Sequence, residues 1–132
     1  MTRSKLTNED REKHDQFYEQ VIEEQKALNQ KFGLPWVESL PGLKVGIAKN
    51  VREGLLPING LRHQPKGDTT GWYIWAGEDT YSDAPDFFEP LHVEHLSDVA
   101  PMTVKYLGLP PGYRFLTDGK HEDVWDDKAL LG

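Results

Sequence analysis

Four consecutive residues, Trp72-Tyr73-Ile74-Trp75, constrain the fold more than any other feature of the chain. They lie between Gly71 and Gly77 and are rich in side chains that suit a pleated surface. Alternation puts Trp72 and Ile74 on one face of a strand and Tyr73 and Trp75 on the other. Large apolar groups on both faces require both faces to be covered. The run therefore predicts an interior strand of a mixed or antiparallel sheet, with Trp72 and Ile74 in the core. Two readings of Tyr73 and Trp75 stand at this point: core residues, or anchors for a partner.

Around that strand the pattern predicts the remaining elements. Thr7 can cap a helix whose first turn carries Glu9, Asp10 and Glu12, where the helix dipole favours acid. Phe17, Val21, Leu28 and Phe32 fall on one stripe of that helix, with Tyr18 and Ile22 beside it. Gly33 and Pro35 end it. Leu43, Val45 and Ile47 alternate as in a strand. A second short strand is expected near Ile58–His63, where Pro57 and Asn59-Gly60 keep it brief or at an edge. Leu91, Val93 and His95 read as one face of a further strand. Ser97 or Asp98 can cap a short helix over Val99–Leu107. Leu109-Pro110-Pro111-Gly112-Tyr113 is a type II turn, with Gly112 at the positive-φ position, and Tyr113–Leu116 is the strand after it. The sum is an α+β fold: an N-terminal helix packed on a small mixed, mostly antiparallel sheet, with one short additional helix. A chain of 132 residues is long enough for one domain with its own core. Residues 1–33 supply the helix, 43–118 the α+β core, and 119–132 an acidic tail that reads as a short helix or a loosely ordered end.

Charge is unevenly placed. Between Lys66 and Lys105 there is no basic residue, while Asp68, Glu78, Asp79, Asp83, Asp86, Glu89, Glu94 and Asp98 fall in that stretch. It carries −8 against −7 for the whole chain, so the remainder is close to neutral. Residues 34–66 are basic in balance. A one-signed field beside aromatic residues suits recognition better than catalysis. The expected partner-facing residues are Trp75, Glu78, Asp79, Tyr81, Asp83, Asp86 and Glu89. The charge favours a protein partner with a basic surface, a cation, or simple solubility. A net negative charge argues against nucleic acid and anionic membranes.

Other chemistries find little support in the sequence. Cysteine is absent, which removes thiolate metal sites and thiol nucleophiles. None of the four serines sits in a nucleophile elbow, and no glycine-rich loop prepares a phosphate site. His92-Val93-Glu94-His95 is a weak metal pattern: on a strand His92 and Glu94 share a face, and His63 or His121 would have to complete the set. Asp79, Asp83 and Asp86 lack the spacing of a calcium loop. Exposed carboxylate pairs such as Asp83 with Asp86, or Glu78 with Asp79, have nothing to push their pKa values apart. No catalytic residue, metal or cofactor is expected. The first residues lack a signal-peptide core, and no stretch is apolar enough to span a membrane, so a cytoplasmic location is expected.

The segment Thr70-Gly71-Trp72-Tyr73-Ile74-Trp75-Ala76-Gly77-Glu78-Asp79 resembles the Gly-Trp-x-x-x-x-Gly-Glu core of a bacterial family formerly known only as a domain of unknown function. That family is now the thirty-third of the immunity proteins of polymorphic toxin systems. Leu91–Asp98, Pro101 and Leu107–Phe115 are similar to its second block, and Lys44–Lys49 to its opening strand. The resemblance spans roughly residues 43–118 and leaves the N-terminal helix outside. It is poorest over Leu55–Gln64, where the family's strand ends in an arginine for which Arg62 is the candidate. The resemblance implies a small cytosolic α+β protein that neutralises a cognate toxin by binding it, without catalysis. The other class left open is a small-ligand, sugar or metal-binding domain, or an enzyme, built on the aromatic and carboxylate residues.

Overall fold

The computed structural model describes residues 8–132, with side chains from Gln16 onward. The expected cap Thr7 lies outside the described residues, as do the side chains of Glu9, Asp10 and Glu12. Helix α1 spans Asn8–Lys31, and Gly33 follows in the left-handed conformation at φ 69°. Its buried stripe is Val21, Gln25, Leu28 and Asn29, with Phe32 packed against the edge of the core. Two amides therefore stand in a stripe expected to be apolar. The reason is what the helix docks on: the stretch around the 3-10 segment Pro101–Tyr106, whose carbonyls need donors. Gln25 Nε2 donates to the Val104 carbonyl at 2.9 Å. Asn29 Nδ2 donates to the carbonyls of Pro35 at 2.8 Å and Gly108 at 2.7 Å. Phe17, placed on the stripe by its spacing, is 49% exposed. It lines an open cleft with Val21, Pro41 and Val93.

The strands are β1 (Lys44–Ala48), β2 (Ile58–Arg62), β3 (Thr69–Ala76), β4 (Phe88–His92), β5 (Tyr113–Thr117) and β6 (Glu122–Asp126). They form one sheet in the order β4-β1-β3-β2-β5-β6. β1 and β3 run parallel, and every other neighbouring pair is antiparallel. Helix α2 is the single turn Leu96–Val99, followed by a 3-10 segment Pro101–Tyr106. As the sequence predicts, β3 is interior to the sheet. Val45, Ile47, Ile58, Trp72, Ile74 and Phe115 meet Leu96, Tyr106, Leu107 and Leu109 in the main core. Trp72 is 1% exposed and Ile74 0%.

Of the two readings of the second strand, the brief one holds: β2 has five residues and lies between β3 and β5, not at an edge. Gly60 lies inside that strand: a Cβ there would sit 2.1 Å from the Phe115 ring, so the glycine opens space for that ring. Three further expectations are corrected. The strand expected to reach His95 stops at His92, and Val93–His95 forms a 3-10 turn. The helix expected over Val99–Leu107 is split, because the residue before Pro101 is driven out of helical geometry; Ala100 has φ −147° and ψ 71°. The acidic tail forms edge strand β6 and a 3-10 turn, Lys128–Leu131. Charged side chains on an edge strand discourage pairing with other chains.

Arg62, at the end of β2, is 1% exposed and has no acidic partner among the described residues. Its guanidinium donates to the carbonyls of Thr70 at 2.9 Å, Val37 at 2.9 Å and Leu109 at 2.8 Å. Longer contacts of 3.4 Å reach the carbonyls of Leu107 and Glu38. One side chain thus ties the chain after α1, strand β3 and the turn before β5.

Candidate partner-binding face

The main core lies on the helical side of the sheet. Among the described residues, the opposite face carries no α-helix. Its side chains come from alternate positions: Asn59 and Leu61 on β2, Tyr73 and Trp75 on β3, Phe88 on β4, Arg114 and Leu116 on β5, and Trp125 on β6. Ala48, Leu61, Trp75 and Leu130 form a small buried cluster there, with Tyr73, Phe87 and Phe88 packed partly against it. The loop after β3 crosses this face and lays Tyr81 on it. Tyr81 meets Trp75 edge-on at 5.2 Å between ring centroids, and lies 6.0 Å from Phe88 and 5.9 Å from Phe87. Phe88 also meets Tyr73 at 5.1 Å. Aromatic pairs at such separations contribute about 0.5–1.5 kcal/mol each beyond burial, so the loop is fastened by its rings.

Its first turn is fixed by hydrogen bonds. Gly77 N donates to the Pro57 carbonyl at 2.8 Å. Asn59 Nδ2 donates to the Gly77 carbonyl at 3.1 Å and Thr80 Oγ1 to the Ala76 carbonyl at 2.5 Å. Asp79 sits at φ 55°, a left-handed conformation that aspartate tolerates better than most residues.

The seven residues expected to face a partner are distributed as follows. Trp75 is 7% exposed and lies beneath Tyr81, which is itself 51% exposed. Glu78, Asp79, Asp83 and Asp86 are all exposed. Burial against the rings raises the Tyr81 pKa, and the neighbouring Asp83 carboxylate raises it further. Glu89 pairs in register with Ile47 and so belongs to the other face of edge strand β4, where it reaches Arg52 at 3.8 Å. The structure therefore gathers Trp75, Glu78, Asp79, Tyr81 and Asp83 around one turn and leaves Glu89 aside.

Pairing redistributes the acidic field. Asp68 is engaged by Lys44 at 2.8 Å, whose hydrogen bond holds its carboxyl below the usual range. Arg114 Nε is held by Asp127 at 2.8 Å. Among the described residues, no ion pair engages Glu78, Asp79, Asp83, Asp86, Asp123 or Asp126. The histidines are scattered. His63 stands edge-on to Tyr73 at 5.6 Å, His92 and His95 are 6.1 Å apart, and His121 pairs with Asp118. Because β4 ends at His92, His92 and Glu94 do not share a strand face, contrary to the sequence expectation. Among the described residues no three His, Asp or Glu side chains converge as metal ligands would.

Sequence reasoning missed Asn59, Leu61, Arg114, Leu116 and Trp125 as members of this face. Their parity along each strand was legible, but the register that aligns the strands was not.

A family model described as the Imm33-like domain matches residues 24–127. The chain belongs to the Imm33-like family. No curated protein and no solved structure matches the chain. The Imm33-like match is wider than the resemblance read from motifs. It takes in the last two turns of α1 and runs through β6. The family's glycine–tryptophan core is mainly scaffold here. A Cβ on Gly71, at φ 91°, would lie 2.1 Å from the His63 carbonyl oxygen, and Trp72 fills the main core. Glu78 is the member of that core that reaches solvent. In the second block, Leu107, Leu109 and Phe115 are fully buried, and Arg62 joins the two blocks of this Imm33-like domain through its carbonyl bonds.

Proposed function

We propose that this Imm33-like domain is an immunity protein that binds a cognate bacterial toxin in the cytoplasm and neutralises it by covering its active site or an adjoining surface. It does so as one domain over residues 1–132, without chemistry of its own. The observation that carries this reading is the immunity-family match over residues 24–127. The acidic turn on the aromatic, helix-free face is the surface that best suits a protein partner. Glu78, Asp79, Asp83 and Asp86 have no cation to satisfy them in the described chain, and Tyr81 offers an exposed ring among them. A toxin with a basic surface complements this field, and such complementarity mainly accelerates encounter. A net charge of −7 disfavours nucleic acid and anionic lipid as partners.

The test is co-expression with the toxin domain encoded by the adjacent gene. The expected result is restored growth of the host and a stable complex on size exclusion. Loss of protection despite expression of folded protein would refute the reading. Protection that depends on turnover of a small molecule would favour a ligand-binding or enzymatic role.

A further inference from the structure

Beside the Glu78–Tyr81 turn, the helix-free face contains a depression of about 390 Å³. Trp75, Tyr81, Asn59, Leu116, Glu78 and Asp79 are among the residues that line it. We infer that this depression receives an arginine side chain of a basic protein segment docking on the helix-free face. The inference deepens the immunity-protein reading and rests on it for the partner being a protein.

An aromatic and aliphatic lining suits the flat, weakly hydrated guanidinium and its methylene stem, whereas an ammonium keeps its water more tightly. Two of the lining residues, Glu78 and Asp79, carry carboxylates, which offer a guanidinium charge-assisted, fork-shaped hydrogen bonds. Neither carboxylate meets a cation among the described residues. The face's own arginine, Arg114, is already bound to Asp127 at 2.8 Å, so it does not fill the depression from within. The turn carrying the carboxylates is held by the bonds of Gly77, Asn59 and Thr80, so little ordering is required on binding. A second copy of this chain is a poorer occupant. Its net charge is −7, and symmetric pairing on this face would oppose like carboxylates.

The test is an NMR titration of the full chain with acetyl-Gly-Arg-Gly-amide, the lysine counterpart, and the citrulline counterpart, which keeps the shape of arginine without its charge. The expected result is shifts confined to the Trp75 indole N–H, the Asn59 side-chain amide, Leu116 and residues 77–81. They should be larger for arginine than for lysine and absent for citrulline. Glu78→Gln with Asp79→Asn should weaken binding about tenfold, the loss of charge-assisted bonds, while Glu53→Gln leaves it unchanged. Asparagine tolerates the left-handed backbone at 79, so the variant's fold is retained. Equal shifts at Glu53, Asp98 and Asp118, or equal binding of citrulline, would overturn the inference. So would a concentration-dependent dimer abolished by Leu116→Asp. Undiminished toxin binding by the Glu78/Asp79 variant would overturn the depression's role while leaving the immunity reading intact. Localised arginine binding without any toxin protection would uphold the depression and remove that reading.

Discussion

Replacing Arg62 by methionine tests whether this buried cation is a stabilising tie or a tolerated burden. Burial pulls its pKa down to about 10, so it remains charged at neutral pH. Replacing buried ions by apolar side chains is often neutral or stabilising, because the desolvation cost disappears. Here the partners are backbone carbonyls, and they stay behind. Methionine fills most of the volume but leaves the carbonyls of Val37, Thr70 and Leu109 without the donor they have at 2.8–2.9 Å. Each buried group left unpaired costs about 1–3 kcal/mol. Allowing for partial relaxation, Arg62→Met should cost roughly 3–5 kcal/mol, against a total of about 5–15 kcal/mol for an ordinary domain. With a urea slope of about 1–3 kcal/mol per molar, the midpoint should fall by roughly 2 M. Arg62→Lys retains a charge but cannot span carbonyls from separate segments, so it should lie between the wild type and methionine. A loss below about 1 kcal/mol for Arg62→Met would show that water or a shifted backbone satisfies the carbonyls, and the tie would be refuted.

Three further outcomes are expected. Trp72→Ala should cost roughly 3–5 kcal/mol, since the ring is 1% exposed and its Nε1 donates to the Leu107 carbonyl at 3.2 Å; a small shift in denaturation midpoint would contradict its place in the core. Reversing Asp83 and Asp86, both exposed and without an ion pair among the described residues, to lysine should change stability by no more than about 0.5 kcal/mol per site and slow association with the proposed toxin partner at low salt, the difference fading as salt rises; coincident rates at low salt would refute a steering role. Alkali should unfold the protein partly through two tyrosines: burial and the Glu38 carboxylate push Tyr18 up to about 12 from 10.0, and burial with the Glu122 bond raises Tyr106. Above pH 10 the unfolded chain has released phenolic protons that the folded chain retains, so their stabilisation is complete below about pH 10 and is lost as pH rises towards 12; Tyr18→Phe should flatten that slope, and an unchanged slope would count against the assignment.

What the sequence could state was local. Alternation of large side chains on both sides of Trp72–Trp75 was enough to place β3 inside a sheet. Gly33 with Pro35, and Pro111 with Gly112, ended or turned the chain through backbone constraints that belong to those residues alone. The run of acids without a base was visible by counting, and Glu78, Asp79 and Asp83 do gather around Tyr81. Where prediction failed, a long-range partner had changed the meaning of a local signal. Gly60 reads as a residue that keeps a strand brief or at an edge, yet it sits in an interior strand and makes room for Phe115, fifty-five positions away in sequence. Gln25 and Asn29 look like solvent-facing helix residues, and are buried because distant carbonyls require their amides.

The sequence by itself determined the class of fold, the interior strand and the sign of the exposed turn, because these follow from side-chain size, period and charge read along the chain. Only the tertiary structure decided which acids are neutralised, which face lacks a helix, and that Arg62 is spent internally. Those depend on strand order and register, where a slip of one residue exchanges the two faces of a strand. Lys44 removes Asp68 from the acidic field and Arg52 meets Glu89 because β1, β3 and β4 are neighbours. Among the described residues, Glu78 and Asp79, on the turn that the Trp75 and Tyr81 rings fasten to the open face, are among the carboxylates left without a cation.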